Sequence, residues 1–339
     1  GTPIADWPVD FHAQSINVDS EGTIYVAGSA TVAKFTPDGK LIRQIELPHI
    51  NEMLKDTTEL RKRAEAQYDQ QNRSNRTIVA AYRKRIERLE AKDEDKRTKS
   101  EIRMLDQLRN SLKTLEQDSD DNRKAGIEQV FNSLTSRLRI INSIAVSDRD
   151  IYIVCGETKG YGYALWRMDR NFDNATQIKS EMRGCCGQMD VQVAGDDVLI
   201  AENCSHAFAR YDREGKQIGM WGGEDSQGRS RVFGGCCNPM NCRAGANGDV
   251  YTAESEGIIK RFSSDGKLEA IIGQRPLSGG CKNVAVAPSP DGKTVYFCDL
   301  PGSKLVVFAE KKAEGTPNEA RDNDKAASAP VGEKVSSRK

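Results

Sequence analysis

The sequence predicts an all-β fold: a β-propeller of five to six blades, with an inserted α-helical antiparallel hairpin. Three observations carry this. A unit of about forty residues recurs along the chain. Each copy is made of short runs that alternate apolar and polar residues, the period of a half-buried strand. Residues 50–139 break that rhythm with apolar residues at helical spacing.

The copies read "GTIYVAGSATVAKFTPDGKLIRQIEL" (22–47), "RDIYIVCGETKGYGYALWRMDRNFDNATQI" (149–178), "DDVLIAENCSHAFARYDREGKQIGMWG" (196–222), "GDVYTAESEGIIKRFSSDGKLEAIIG" (248–273) and "KTVYFCDLPGSKLVVFAEK" (293–311). In each, an alternating strand is followed by a short loop and a second strand ending on Phe35, Met168, Tyr211, Phe262 or Phe308. Asp38-Gly39, Glu214-Gly215 and Asp265-Gly266 are turn signals that lead into a third strand. A further short strand precedes each unit: "SINVDS", "SIAVSD", "DVQVAG", "NCRAGA" or "NVAVAP". Four antiparallel strands per unit is the pattern of a propeller blade. The last copy stops after its third strand near Lys311. Residues 2–11, "TPIADWPVDF", are expected to supply the missing outer strand and close the ring. The competing account is loss of an upstream blade from a six-bladed parent.

The unit resembles the NHL repeat, with its Gly-Val-Ala-Val-Asp run, its Val-Tyr-Val-Ala-Asp run, an aromatic-ended strand and a Gly-rich turn. The resemblance covers residues 12–47 and 138–311. It implies a propeller, usually of six blades. It does not imply an activity, because propellers host enzymes, binding modules and scaffolds.

Residues 50–139 contain no proline and only one glycine, Gly126. Val79, Tyr82, Ile86 and Leu89 follow a 3-4-3 spacing, as do Leu105, Leu108, Leu112 and Leu115. The charged "AKDEDKRTKS" separates the two runs. Two long helices forming a hairpin are expected, then a shorter third helix around residues 123–138. The segment reads either as a solvated protrusion or as a docking arm for a partner. The domain plan is thus 1–49 (first blade and closing strand), 50–139 (helical insertion), 140–311 (remaining blades) and 312–339. The last segment is rich in Ala, Pro, Ser and charge, and is expected to be disordered.

Composition excludes several classes. The 50 basic and 50 acidic side chains cancel, so no global field points to nucleic acid. No apolar run approaches a membrane span. A chain that opens on Gly1 is expected to be a trimmed product. Nine cysteines, none before Cys155 or after Cys298, suit an oxidising, extracytoplasmic compartment, periplasmic or secreted.

Blade topology organises those cysteines. If strands a to d run outward from the channel, the d-to-a and b-to-c connections share one face. Cys185 and Cys186 precede one strand a, Cys236 and Cys237 the next, and Cys281 the last. Cys155 and Cys298 end b strands, Cys204 sits in a b-to-c loop, and Cys242 lies inside a strand a. Eight of the nine are therefore expected on one face. His12 takes a similar position before the first strand a, and His206 shares the Cys204 loop. Three accounts compete: disulfides stapling neighbouring loops; a metal site of Cys185, Cys186, Cys236, Cys237, Cys281, Cys204, His12 and His206 for copper, zinc or an iron–sulfur cluster; or a reactive thiol site. No Cys-x-x-Cys occurs, so spacing alone defines no metal centre.

Glu202, Glu254 and Asp299 end three b strands on the same face. They read as acceptors for loop amides or, more sharply, as a carboxylate ring around the channel. No Ser-His-Asp order, P-loop or dinucleotide fingerprint is present, so whether the chain is an enzyme is left open. The functional expectation is a binding or scaffold module that takes a protein or small ligand at the cysteine face. The alternative is a redox or metal-dependent protein using the same face.

Overall fold

The computed structural model describes residues 2, 4–116, 120–157, 162–185, 188–223, 232–235, 237–277, 284–299 and 302–309. Among them, nineteen strands form five antiparallel sheets. The first is β1 (Ser15–Val18), β2 (Ile24–Gly28), β3 (Thr31–Phe35) and β4 (Leu41–Glu46). Five helices follow: α1 (Pro48–Lys55), α2 (Thr58–Gln71), α3 (Arg73–Glu90), α4 (Lys99–Glu116) and α5 (Asp120–Leu138). The second sheet is β5 (Ile141–Val146), β6 (Asp150–Gly156), β7 (Tyr163–Asp169) and β8 (Thr176–Met182). The third is β9 (Asp190–Ala194), β10 (Asp197–Glu202), β11 (Ala207–Tyr211) and β12 (Gln217–Gly222). The fourth is β13 (Asn241–Ala244), β14 (Val250–Ala253), β15 (Ile258–Phe262) and β16 (Leu268–Gln274). The fifth has three strands, β17 (Val284–Pro288), β18 (Thr294–Asp299) and β19 (Lys304–Ala309).

Strand alternation builds the core between sheets rather than beneath them. Tyr25, Ala27 and Val32 of the first sheet meet Ile144, Ile151, Ile153 and Met168 of the second. The opposite face of the second, with Tyr152, Val154 and Leu165, meets Val191, Val198, Ile200 and Tyr211 of the third. Leu199, Ala201 and Phe208 meet Cys242, Val250 and Phe262 of the fourth. Tyr251, Ala253 and Ile259 meet Val284, Val286, Val295 and Phe297 of the fifth. Each sheet thus uses odd and even positions against different neighbours, as the period of two requires. The innermost strands β1, β5, β9, β13 and β17 pack in that order. The result is a propeller-like arrangement.

Outer turns are held by glycines. Gly266 has φ of +81°, and a Cβ there would fall 1.7 Å from Trp221 of the preceding sheet. Only glycine admits both the conformation and the indole.

Residues 2–11 do not supply the fifth sheet's outer strand. Their described part is irregular. Val9 and Phe11 pack on Val26, Ala33 and Phe35 of the first sheet, and Trp7 lies against the Gly39 turn. Pro8 has no N–H to give a ladder, which disfavours strand pairing here. No packing comparable to that of the other inner strands joins β17 to β1.

The helical segment forms two tiers, with an additional helix before the expected pair and a last helix that is not short. α2 pairs with α5, and α3 pairs with α4. The break at Asn72 divides one limb, and α5 runs 19 residues. Gly126 lets Tyr68 lie against α5, since a Cβ there would sit 2.2 Å from its ring. At the base, Leu60, Ala64, Phe131, Leu134 and Leu138 join the core shared by the first two sheets. The distal tier has a separate core of Ile86, Leu89 and Leu105.

Two outcomes are expected. Leu60→Ala should lower global stability by about 2–4 kcal/mol in urea denaturation, the range for a large-to-small core change. Leu105→Ala should instead accelerate hydrogen exchange in α3 and α4 with little change in the global midpoint. Burial, then the nearby Asp150 carboxylate, pushes the Tyr152 hydroxyl up to about 12 from 10.0. The unfolded chain releases that proton near 10, so stability should fall as pH rises from about 10 to about 12. Denaturation midpoints across that window check it, with Tyr152→Phe flattening the decline.

Candidate functional site: the central cavity

The five innermost strands surround a cavity of about 540 Å³. Gln14, Ser15, Asn142, Ser143, Gln188, Asp190, Asn241 and Arg243 give it polar walls, and Met189, Met240 and Cys298 contribute sulfur. Its most connected group is Asp190, the first residue of β9. Asp190 Oδ1 accepts from Ser143 Oγ at 2.6 Å and from Gln192 Nε2 at 3.3 Å. Its Oδ2 accepts from Asn241 Nδ2 at 2.6 Å, the Cys242 amide at 3.0 Å and Arg243 Nη1 at 3.1 Å.

The same device recurs around the ring. Ser15 Oγ accepts from the Ile144 amide at 3.0 Å, and Asn17 Nδ2 donates to the Ile144 carbonyl at 3.0 Å. Ser143 Oγ also donates to the Val191 carbonyl at 3.2 Å. Asn241 Oδ1 accepts from the Val286 amide at 2.9 Å. A small polar side chain on one inner strand thus satisfies the backbone of the next, whose inner edge has no further strand to pair with. The Asp190–Arg243 pair supplies one charge of each sign to the lining. Besides that pair, the lining offers a ligand amide, hydroxyl, imidazole, thiol and thioether groups.

The expected site residues are distributed as follows. His12 is exposed and lines the cavity. Cys185 is half-buried; its amide donates to Asn203 Oδ1 at 2.7 Å, while Asn203 Nδ2 returns a bond to the Gln188 carbonyl at 3.1 Å. Cys237 is buried, and Cys185 packs against the same apolar cluster, so two successive sheet-to-sheet connections meet there. Cys204 lies in a short 3-10 turn, Asn203–Ser205, with His206 next to it. His206 is buried and left-handed, with φ of +50°. Cys204, Cys242 and Cys298 carry free thiols. Cys186, Cys236 and Cys281 lie outside the described residues. Among the described residues, no three histidine, cysteine or carboxylate side chains converge as a metal site would require.

The three carboxylates are occupied within or next to their own sheets, and none lines the cavity. Glu202 accepts from the Tyr211 hydroxyl. Glu254 pairs with Lys260 and accepts from the Gly234 amide at 2.9 Å. Asp299 accepts from the Gly302 amide at 2.9 Å and lies 3.8 Å from Arg275.

The loop "GGCCNPMNC" is anchored by Asn238, which is fully buried. Asn238 Nδ2 donates to the Gly234 carbonyl and to Glu256 Oε2, both at 2.6 Å, and its Oδ1 accepts from the Ser255 amide at 2.7 Å. The Met240 amide then donates to the Ala253 carbonyl at 2.9 Å and starts β13 in register. Cys237 is thus carried on a hydrogen-bonded scaffold.

Asp190, Ser143 and Asn241 are not among the residues expected from the sequence. The signal was available: each stands first in its inner-strand motif, and each is polar where an apolar residue follows.

Fold and cavity together define a propeller-like protein with a polar central chamber. No known family profile matches the chain, and no curated protein matches it in sequence. Among solved structures, it is similar to a functionally unknown protein from Desulfotomaculum acetoxidans, at 10% identity and TM-score 0.42, over 90% of this chain and 71% of that one. It is also similar to a gluconolactonase from Xanthomonas campestris, at 10% identity and TM-score 0.42, over 84% and 68%. A protein of unknown function from Bacteroides caccae aligns at 12% identity and TM-score 0.30, over 49% and 59%. At TM-scores this low, the likenesses carry no argument about this chain.

Asp190→Ala strands the donors of Ser143, Asn241, the Cys242 amide and Arg243. Urea denaturation should show a loss of about 2–4 kcal/mol, with Asp190→Asn closer to wild type. Thiol labelling should also discriminate by burial. Desolvation, with Asp190 adding to it, holds the fully buried Cys242 thiol well above its ordinary range. Peptide mass spectrometry of native protein should find Cys204 and Cys298 alkylated, and Cys242 only after denaturation.

Proposed function

We propose that this chain is an NHL-like propeller binding module, and that its ligand enters the central cavity through a rim of cysteine-bearing loops. The observation that carries this is the convergence of all five inner strands on one polar chamber of about 540 Å³. That size and mix of donors and acceptors suits a small polar molecule. In an antiparallel four-strand sheet, alternate connections share an end. The connections bearing Cys185 and Cys237, the Cys204 turn and the ends of β6 and β18 therefore fall on one rim. Balanced overall charge favours such a ligand over nucleic acid. A sulfur-rich rim in an extracytoplasmic compartment suits disulfide staples between neighbouring loops.

Native mass spectrometry against a panel of small polar molecules tests the cavity. At least one should bind stoichiometrically, and Ala285→Trp, which fills the chamber from β17, should lower its occupancy at least tenfold. Binding that ignores Ala285→Trp, or no binding across the panel, would defeat the proposal. Thiol titration and elemental analysis of anaerobically purified protein test the rim. Few titratable thiols and no metal fit staples. Stoichiometric metal, with absorbance beyond the protein band, would make the rim a redox or metal centre instead.

A further inference from the structure

The third and fourth sheets meet differently from the two pairs before them. Register makes Met168, Tyr211 and Phe262 equivalent, since they lie opposite Ile151, Val198 and Val250. Two residues further on stand Arg170, Arg213 and Ser264. The two arginines reach back to the preceding sheet: Arg170 pairs with Asp19, and Arg213 with Asp150. The carboxylates so clasped are only 1% and 4% exposed. Asp197 holds the place of Asp150 in the third sheet, but Ser264 brings it no cation, and it is 32% exposed. A second contact is missing as well. Lys34 and Arg167 donate to the carbonyls of Arg170 and Arg213 in the next sheet, at 3.1 and 2.9 Å. Arg210 is their equivalent, and among the described residues it makes no such bond to the fourth sheet.

Where both halves of the clasp are missing, a cavity of about 730 Å³ remains. It touches Ala194, Ala244 and Pro288, at the opposite ends of β9, β13 and β17 from Asp190, Asn241 and Val284 of the central chamber. Among the described residues, Arg210 is the one charged side chain on its wall. The Arg210 Nε is buried without a hydrogen-bond partner. Asp197 approaches that nitrogen at 3.8 Å, beyond hydrogen-bond distance, and no acceptor among the described residues pairs with the two terminal nitrogens. Ser264 adds a hydroxyl, and Val193, Ala244, Pro288 and Pro290 make the wall around it apolar.

We propose that this second cavity binds a small organic carboxylate. The guanidinium fork of Arg210 takes the two carboxylate oxygens together, the geometry for which a planar fork is suited. The Ser264 hydroxyl donates a further bond, and the apolar wall covers the hydrocarbon part of the ligand. The ligand thereby does for Arg210 what the Arg213 carbonyl does for Arg167. Each feature narrows the class. A cation whose donors lack acceptors calls for an anion rather than a neutral molecule. Prolines, valine and alanine beside that cation favour an organic acid over inorganic phosphate. The volume lies within the range of small-molecule sites. This inference is independent of what the central chamber binds.

Isothermal titration calorimetry of benzoate into the intact chain tests it, with benzamide as the uncharged probe of the same shape. Benzoate should bind one-to-one, and benzamide at least about tenfold more weakly, for want of the charge-assisted pair. Arg210→Gln should weaken benzoate by a similar factor. That variant alters a half-buried side chain, so Ser264→Glu, at an exposed turn position, supplies a second reading. Its carboxylate competes for Arg210 from within the chain and should also weaken benzoate at least about tenfold. No benzoate binding overturns the proposal, as does benzamide binding equally well, or benzoate binding that neither variant weakens. Benzoate binding lost in Ala285→Trp but kept in Arg210→Gln also overturns it, and would place the ligand in the central chamber.

Discussion

Everything in this ring depends on how its innermost strands meet. A strand at the centre of a propeller-like array has one edge in its own ladder and one edge facing the axis. Backbone groups on that second edge are costly to bury unpaired. Here the neighbouring strand supplies the partners through side chains. Ser15 and Asn17 serve Ile144, Ser143 serves Val191, Asp190 serves Cys242, and Asn241 serves Val286. These bonds join successive sheets, and Ser15, Ser143, Asp190 and Asn241 also contribute to the cavity's polar lining.

Two further consequences follow from that geometry. Apolar residues close the four seams between successive sheets, and the polar lining lies along the inner strands. In two cysteine-bearing connections, amide side chains hold the described backbone: Asn203 fastens Cys185, and Asn238 fastens the loop that carries Cys237. Cysteine reactivity in such loops depends on exposure, since the loop backbone is immobilised by these bonds. The helical arm joins the core of the first two sheets at its base, and its distal tier has a separate core.

The seam between the fifth and first sheets marks where the repeat logic stops. Equivalent positions that are buried elsewhere are exposed there: Tyr296 on one side and Ile16, at 60%, on the other. Val9 and Phe11 already occupy the middle of the first sheet's free face. That occupancy explains why the N-terminal segment does not serve as an outer strand of the fifth sheet.

Much of the fold was legible in the residues themselves. Period-2 runs separated by Asp-Gly and Glu-Gly turns dictate short strands in each repeat, and 3-4-3 apolar spacing dictates paired helices, because these patterns act over a few residues and need no partner to be read. Even the pairing of α3 with α4 could be read from Ile86, Leu89, Leu105 and Leu108. The pairing of α2 with α5 could not, since Tyr68 over Gly126 joins positions 58 residues apart. The same holds for the candidate site. Cysteines attract attention in a linear reading because their chemistry is distinctive, whereas Ser143, Asp190 and Asn241 look like ordinary strand residues. What makes them a site is that three strands, about fifty residues apart in the chain, bring them to one axis. Local periodicity is written in the chain; convergence on an axis exists only once the sheets have packed.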